Sequence, residues 1–223
     1  YQYGANNPVN NIDVNGDSVW YTRNGDIVTM HVTAKIFNNS SDNINMARAA
    51  KDIVSDIKST YEGKFEWSDN KTYNLKVDMD LKVATSMKDV ENSDHLFVLA
   101  DSDSKGARGA TSMLGGKVMT LASSDFANNN WLSNNLSYNK TFTATHEFGH
   151  AIGLSHSQNP FNIMKQGGVV HNSNSNQRVI MLQQQNLNKS SSYLEYMGRK
   201  IPYPYIHYNN LVVDIYNFGL KWR

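Results

Sequence analysis

The sequence contains no cysteine. Disulfide bonds, thiolate zinc sites and cysteine nucleophiles are therefore excluded together, and any bound metal must be held by imidazole, carboxylate or carbonyl groups. Long apolar runs are also missing, since no stretch approaches the roughly 20 residues that span a bilayer. The amino terminus lacks the charged and apolar regions of a signal peptide. We expect no membrane span.

An excess of one charge is absent as well. The 21 basic and 20 acidic residues are mixed along the chain and leave a formal net charge of +1. Without a basic stripe, we expect no nucleic-acid partner. The 223 residues suffice for one sizeable core, and no clear linker divides them. Because the chain begins with Tyr1 rather than Met, we expect a processed product or a fragment.

Apolar periodicity in the amino-terminal half predicts strands around one helix. The run from Asp26 to Phe37 is rich in β-branched residues, and the run from Tyr73 to Val83 alternates apolar and polar residues, so both predict strands. From Ile44 to Ile57, apolar residues recur at three- and four-residue steps. That spacing predicts a helix, with Ser41 or Asp42 as its cap. Two short strands are predicted at His95 to Ala100 and Lys117 to Ala122.

The carboxyl-terminal half contains two predicted helices, from about Lys140 to Ile152 and from Arg178 to Leu187. The Asn- and Ser-rich stretch from Ser123 to Asn139 predicts a loop before the first of them. The tail from Tyr193 to Arg223 is rich in aromatic residues, and its pattern predicts no particular structure.

Two histidines lie four residues apart on the first of these helices, His146 and His150. That spacing places both imidazoles on one helical face, one turn apart, where they can bind one ion. Glu147 lies beside them and can reach a water molecule at the metal without binding the metal itself. Zinc lowers the pKa of such a water molecule toward about 7, and a carboxylate takes its proton during hydrolysis.

A third ligand must come from beyond the helix. Gly153 can adopt the left-handed conformation that ends a helix sharply, so that the chain turns back and His156 reaches the same ion. Three imidazoles leave the fourth position open, which is the arrangement of a catalytic zinc site. The pattern therefore predicts one catalytic zinc ion held by three histidines, with Glu147 as the general base.

The string from His146 to His156, HEFGHAIGLSH, resembles the HExxHxxGxxH motif of the metzincin clan of metallopeptidases and matches every fixed position. That clan also has a methionine turn beneath the zinc, for which Met164 is the candidate. The resemblance implies an α+β fold with a mixed twisted sheet, a backing helix, an active-site helix and a small carboxyl-terminal subdomain. It also implies a zinc-dependent endopeptidase with a polypeptide substrate.

Two other segments each have two interpretations. The glycine-rich stretch from Gly106 to Gly116 is either a plain flexible loop or contains an edge strand that pairs with an extended substrate. The residues of that edge are Gly109, Ala110 and Thr111. Asp101 and Asp103 either bind calcium or are solvated in a polar turn. The other histidines lack ligand spacing and are expected to be ordinary surface or core residues, namely His31, His95, His171 and His207.

The first sixteen residues, YQYGANNPVNNIDVNG, resemble the closing signature of the Rhs repeat-associated core, approximately YxYxxNNPxxxxDPxG. Val14 stands where that family usually has proline. In that family the segment joins an encapsulating shell to a variable effector domain. The resemblance implies a remnant at residues 1–16 and a peptidase effector at residues 17–223, whose upper part ends near 153 and whose lower part begins near 154. The alternative is an ordinary Asn-Pro turn.

Three functional hypotheses follow. The first is a zinc endopeptidase. In the second, the peptidase is a toxin effector used in antagonism between bacteria. That hypothesis predicts secretion or delivery outside the producing cell, and an inhibitor or immunity protein as a partner. In the third, the chain is a non-catalytic binding module that keeps zinc for structural reasons.

Overall fold

The computed structural model describes residues 19–91, 94–102, 108–111, 115–127, 141–168 and 170–184, together with the backbone of three short strands nearer the carboxyl terminus. The segment that resembles the Rhs core, Asp103 and His207 lie outside the described residues, so the predictions made for them remain predictions.

Ten strands, three α-helices and two short 3-10 helices (Met87–Asp89 and Ser123–Asp125) make up the described fold. In chain order the strands are β1 (Val19–Asn24), β2 (Ile27–Asn39), β3 (Gly63–Glu66), β4 (Thr72–Ala84), β5 (His95–Ser102), β6 (Gly109–Thr111), β7 (Val118–Ala122), β8 (Tyr193–Tyr196), β9 (Arg199–Pro202) and β10 (Leu220–Lys221). The helices are α1 (Met46–Tyr61), α2 (Phe142–Ala151) and α3 (Ser175–Gln184).

The main sheet has eight strands in the order β3-β4-β2-β5-β7-β6, with β1 paired to β2 and β10 paired to β5. The four central strands β4, β2, β5 and β7 run parallel, whereas β3 and β6 are antiparallel to their neighbours. β8 and β9 form a separate antiparallel pair. The mixed sheet confirms the predicted α+β class and places β6 at one edge.

Both long predicted strands are confirmed as β2 and β4, and both short ones as β5 and β7. In β4 the alternation predicted the buried face correctly from Tyr73 to Met79. It fails at Val83, which is 41% exposed. Alternation gives the face on which a side chain lies, but not how far the covering layer extends along the strand. The glycine-rich stretch does contain a strand, β6, which confirms the edge-strand interpretation of its structure.

The helix α1 begins later than the sequence predicted, and its predicted caps were wrong. Asn45 is the N-cap, and its side chain accepts a hydrogen bond from the Arg48 amide at 3.0 Å. Asp42 instead accepts a hydrogen bond from the Ser123 hydroxyl at 2.6 Å. Ser41 is also engaged elsewhere, since its amide and hydroxyl donate to a carboxylate on β5. Both side chains therefore link strand ends to each other rather than capping the helix.

The two later helices lie close to their predicted positions. α2 is confirmed: it begins two residues after the predicted Lys140 and ends one residue before the predicted Ile152. α3 begins three residues before the predicted Arg178. Asn174 explains this difference, because its side chain accepts a hydrogen bond from the Gln177 amide at 2.9 Å, in the manner of an N-cap. None of the described helices is long and apolar enough to cross a bilayer.

Candidate metal centre

The helix α2 presents His146 and His150 on one face, with ring centroids 4.8 Å apart. The opposite side of the helix lies in the core, where Ala144, Phe148 and Ala151 are buried. Tight packing of that side fixes the direction in which the two imidazoles point. The two imidazoles therefore lie on one helical face, as their four-residue spacing predicts.

A sharp helix end brings in the third histidine. Gly153 has a φ of +93°, as its predicted left-handed conformation requires. Its amide donates to the His150 carbonyl at 3.0 Å, and the Leu154 amide donates to the Gly149 carbonyl at 2.8 Å. These two bonds form a Schellman motif, which reverses the chain. As a result the His156 ring lies 4.6 Å from that of His150.

The three imidazoles can hold one metal ion. One nitrogen from each of His146, His150 and His156 lies within 4.8 Å of the others, and no other such group occurs among the described residues. The Nδ1 atoms of His146 and His150 lie 2.7 Å from the carbonyls of Ile163 and Leu154. A carbonyl only accepts, so each Nδ1 carries the hydrogen and each Nε2 keeps a lone pair for a metal.

Electrostatics also suit a cation. Burial lowers the pKa of His150 to about 4, and the neighbouring histidines act in the same direction. Burial likewise lowers the pKa of His146. Both imidazoles are therefore neutral near pH 7, the form that binds metals. The donor set of three imidazoles and no thiolate fits zinc with one position open.

Glu147 is 7% exposed and is held by the edge strand β6. The Thr111 hydroxyl lies 2.8 Å from both Oε2 and the backbone carbonyl oxygen of Glu147. Burial raises the pKa of Glu147 to about 7, whereas hydrogen bonds from the side chain and backbone of Thr111 lower it. A cation at the histidines would also lower it. Before a metal binds, the carboxyl group therefore holds its proton more tightly than an ordinary glutamate does.

The close approach of β6 to α2 depends on a missing side chain. A Cβ on Gly109 would lie 2.3 Å from Cγ2 of Thr143 and 3.1 Å from Cγ of Glu147. Any side chain at this position would therefore push β6 away from the helix. Ala110 is fixed from the other side, because its carbonyl accepts a hydrogen bond from the Thr120 hydroxyl at 3.1 Å.

Met164 packs against the same helix and is completely buried. A Cβ on Gly149 would lie 2.4 Å from the Met164 sulfur and 2.5 Å from the Tyr61 hydroxyl oxygen. Gly149 directly precedes His150 in α2. The Met164 thioether therefore lies against the helix backbone between the two histidines. The Tyr61 hydroxyl donates to the Thr145 carbonyl at 2.8 Å. Tyr61 is a neighbour of the centre that the sequence did not reveal.

A pair of buried amides supports the methionine turn. The side chains of Asn162 and Gln177 exchange two hydrogen bonds, of 2.8 and 2.9 Å. Asn162 Oδ1 also accepts from the Met164 amide at 2.9 Å. Sequence reasoning missed this pair, because the two amides lie fifteen residues apart on different elements and no spacing rule joins them.

His171, which was expected to be an ordinary residue, lies close to the centre. Its Nδ1 is 2.7 Å from Asp56 Oδ2, and the same carboxylate oxygen accepts from the Thr145 hydroxyl at 2.7 Å. The His171 ring also packs edge-on against Phe142 at 5.2 Å, and Phe142 in turn stacks on His146 at 6.0 Å. The segment after the methionine turn is thus tied to both α1 and α2.

A cleft of about 630 Å³ opens in front of the three histidines. Glu147 and the edge strand form one side. The other walls of the cleft come from the start of α2, with Phe142 and Thr143, and from the segment after Met164, with Gln166, Gly167 and Gly168. Arg108 lies at the rim and pairs with the buried carboxylate of Asp125.

Only half of the predicted calcium pair can be located. Asp101 Oδ1 accepts hydrogen bonds from the amide and the hydroxyl of Ser41, at 3.1 and 3.3 Å. Asp103 lies outside the described residues. Calcium binding therefore remains a prediction, and the three histidines are the centre that the described residues support.

The sequence matches the matrixin family of peptidases over residues 20–187, which include the HEFGHAIGLSH string and Met164. The archaemetzincin of Methanopyrus kandleri is a similar solved structure, with 14% identity, a TM-score of 0.42, and 70% of this chain and 97% of that chain covered. The archaemetzincin of Archaeoglobus fulgidus, solved in complex with malonate, is similar at 17% identity and a TM-score of 0.33, with 65% and 90% covered. No curated protein sequence matched the chain.

Proposed function

The chain belongs to the matrixin family and is a metzincin-clan zinc metallopeptidase, and from that premise we propose that it is an endopeptidase with Glu147 as its general base. The zinc ligands in this proposal are His146, His150 and His156. The observation that carries it is a buried carboxylate beside three converging imidazoles. In the two imidazoles on α2, Nδ1 already donates to a backbone carbonyl, which leaves Nε2 for the metal.

The proposed reaction divides its tasks among the residues of the cleft. When bound, zinc supplies a Lewis acid that polarises the scissile carbonyl and lowers the pKa of water. Glu147 takes a proton from the attacking water molecule and delivers it to the leaving amine. Burial raises the pKa of Glu147 and a bound cation would lower it, and these opposing effects suit a group that takes up a proton and then releases it.

We propose that the polypeptide substrate lies extended along β6. This strand ends the sheet order, so its outer backbone groups face the cleft rather than another strand of the described sheet. Proteins often bind extended peptides by strand addition at such an edge. The backbone groups of Gly109 and Thr111 would then hold the substrate beside Glu147, while Ala110 between them pairs with Thr120 of β7. Phe142 and the segment from Gln166 to Gly168 would contact side chains next to the scissile bond.

The substitution Glu147→Ala tests this proposal, with Glu66→Ala on β3 as a matched control at an exposed glutamate. We expect Glu147→Ala to retain one zinc per chain in elemental analysis and to lose cleavage of a peptide library by at least a hundredfold, as removal of a general base predicts. The control should match wild type in both. A chelator should abolish wild-type cleavage, and zinc should restore it. If Glu147→Ala cleaves as fast as wild type, the assignment of the base is wrong.

We further propose that the peptidase acts as an effector outside the producing cell. The support is the resemblance of residues 1–16 to the end of an Rhs core. On this proposal, expression of the chain in a recipient bacterium is toxic, and Glu147→Ala removes the toxicity. A small protein that binds the chain and suppresses both toxicity and cleavage would be the immunity partner. Equal toxicity of wild type and Glu147→Ala would contradict this role.

A further inference from the structure

Thr111 contacts the proposed base directly. Its hydroxyl lies 2.8 Å from Glu147 Oε2 and 2.8 Å from the carbonyl oxygen of the same residue. A hydroxyl has one hydrogen to donate, and an ionised carboxylate is the stronger acceptor. The geometry therefore supports a charge-assisted hydrogen bond from Thr111 to Oε2. The same hydroxyl oxygen also lies in contact with the backbone carbonyl of Glu147, which keeps it close to the helix.

The rest of β6 holds this hydroxyl in place. Residues i and i+2 of a strand lie on one face, so Gly109 and Thr111 both face α2. Gly109 gives the stem of Glu147 its space, since a Cβ there would be 3.1 Å from Cγ of Glu147. On the other side, β6 pairs with β7, where Thr111 is opposite Met119. The donor is therefore part of the sheet rather than of a free loop.

We propose that Thr111 is a positioning residue, which fixes Oε2 of Glu147 and leaves Oε1 for proton transfer. This proposal rests on the proposed peptidase function. A glutamate side chain has three rotatable bonds, and only a small part of its rotamer range points a carboxylate oxygen at the reacting water. Because the hydroxyl comes from the edge proposed to bind the substrate, the same short strand orients both reaction partners.

Two substitutions isolate the hydroxyl. Thr111→Val keeps the shape and the backbone amide, which also bonds Glu147, but removes the hydroxyl donor. Thr111→Ser keeps the hydroxyl donor without the methyl group. We expect kcat of zinc-loaded Thr111→Val to fall about tenfold or more, with KM changed less than threefold, as loss of a hydrogen bond to a charged group predicts. Thr111→Ser should stay within about threefold of wild type. Zinc content should be unchanged in both.

A matched control separates positioning from general loosening of the edge. Thr120→Val removes another hydroxyl from the same strand pair, the one that binds the Ala110 carbonyl, without touching Glu147. We expect it to lower thermal stability about as much as Thr111→Val does, and to keep kcat within about threefold of wild type. If Thr120→Val lowers kcat as much as Thr111→Val, the effect is structural and the proposal is wrong.

High-resolution crystal structures give a readout that does not depend on activity. In Thr111→Val we expect the Glu147 carboxylate to leave its single position, and in Thr111→Ser to keep it. An unchanged carboxylate in Thr111→Val, or unchanged kcat, would overturn the proposal. Should the wild type cleave no peptide, the proposed function fails, while the carboxylate position still decides whether Thr111 orients Glu147.

Discussion

Replacement of Gly149 by alanine should disturb the contact between α2 and the methionine turn. The added Cβ would lie 2.4 Å from the Met164 sulfur, 3.1 Å from its Cε and 2.5 Å from the Tyr61 hydroxyl oxygen. Favourable contacts between non-bonded atoms lie near 3.5–4.0 Å. The new methyl group would therefore overlap two side chains by about an ångström each, and something must move.

The expected cost follows from what those two neighbours can do. Both Met164 and Tyr61 are fully buried, and the Tyr61 hydroxyl is bound to the Thr145 carbonyl at 2.8 Å. Overpacking of a well-packed core costs about 1–3 kcal/mol. Alanine regains about 1 kcal/mol over glycine within a helix. Because neither neighbour has free space, we take the upper part of that range and expect a net loss of about 1–2 kcal/mol.

Thermal unfolding of the metal-free protein measures this loss. For a chain of this size, we expect Gly149→Ala to lower the Tm by about 2–8 °C. Met164→Ala alone should cost about 2–5 kcal/mol, because it leaves a cavity. The double substitution should cost less than the sum by about 1 kcal/mol or more, since the cavity accepts the new methyl group. A raised Tm in Gly149→Ala, or strictly additive losses, would show that Met164 does not pack against Gly149.

Two further predictions concern the surroundings of the centre. Gln177→Ala should lower the free energy of unfolding by about 2 kcal/mol, because it leaves the buried Nδ2 of Asn162 without its acceptor; a loss under about 0.5 kcal/mol in chemical denaturation would contradict this. Burial, aided by the Lys117 ammonium, lowers the pKa of His95 from 6.5 to about 3. His95 is therefore protonated at a higher pH in the unfolded chain than in the folded one. The free energy of unfolding falls as the pH drops from about 6.5 toward 3, by roughly 1.4 kcal/mol per pH unit. His95→Gln should lose that part of the pH dependence at equal metal loading, and an unchanged slope would contradict the assignment.

Local spacing predicted the histidine pair and the helix end well. The positions of His146 and His150 follow from helical geometry alone, and the turn at Gly153 follows from the one residue type that adopts a positive φ without strain. Such features depend on residues within one or two turns of each other. The long strands were equally clear, because their alternation continues over many residues.

The supports of the centre are long-range contacts, and periodicity contains no information about them. Tyr61 meets Thr145 across 84 residues, and Thr111 meets Glu147 across 36. The cap of α1 was missed for a related reason. Several residues of capping type precede that helix, and Asn45 is the cap, whereas Asp42 binds the distant Ser123 hydroxyl. The short strand β3, which opens with Gly63, showed too little alternation to be predicted.

Anomalous X-ray scattering at the zinc absorption edge tests the central claim most directly. In zinc-soaked crystals we predict one strong peak, about 2.0–2.1 Å from Nε2 of each of His146, His150 and His156. Glu147 should lie beyond bonding distance of the peak. No peak at this position, or a peak held by only two of the three imidazoles, would contradict the claim that these histidines form the catalytic zinc site.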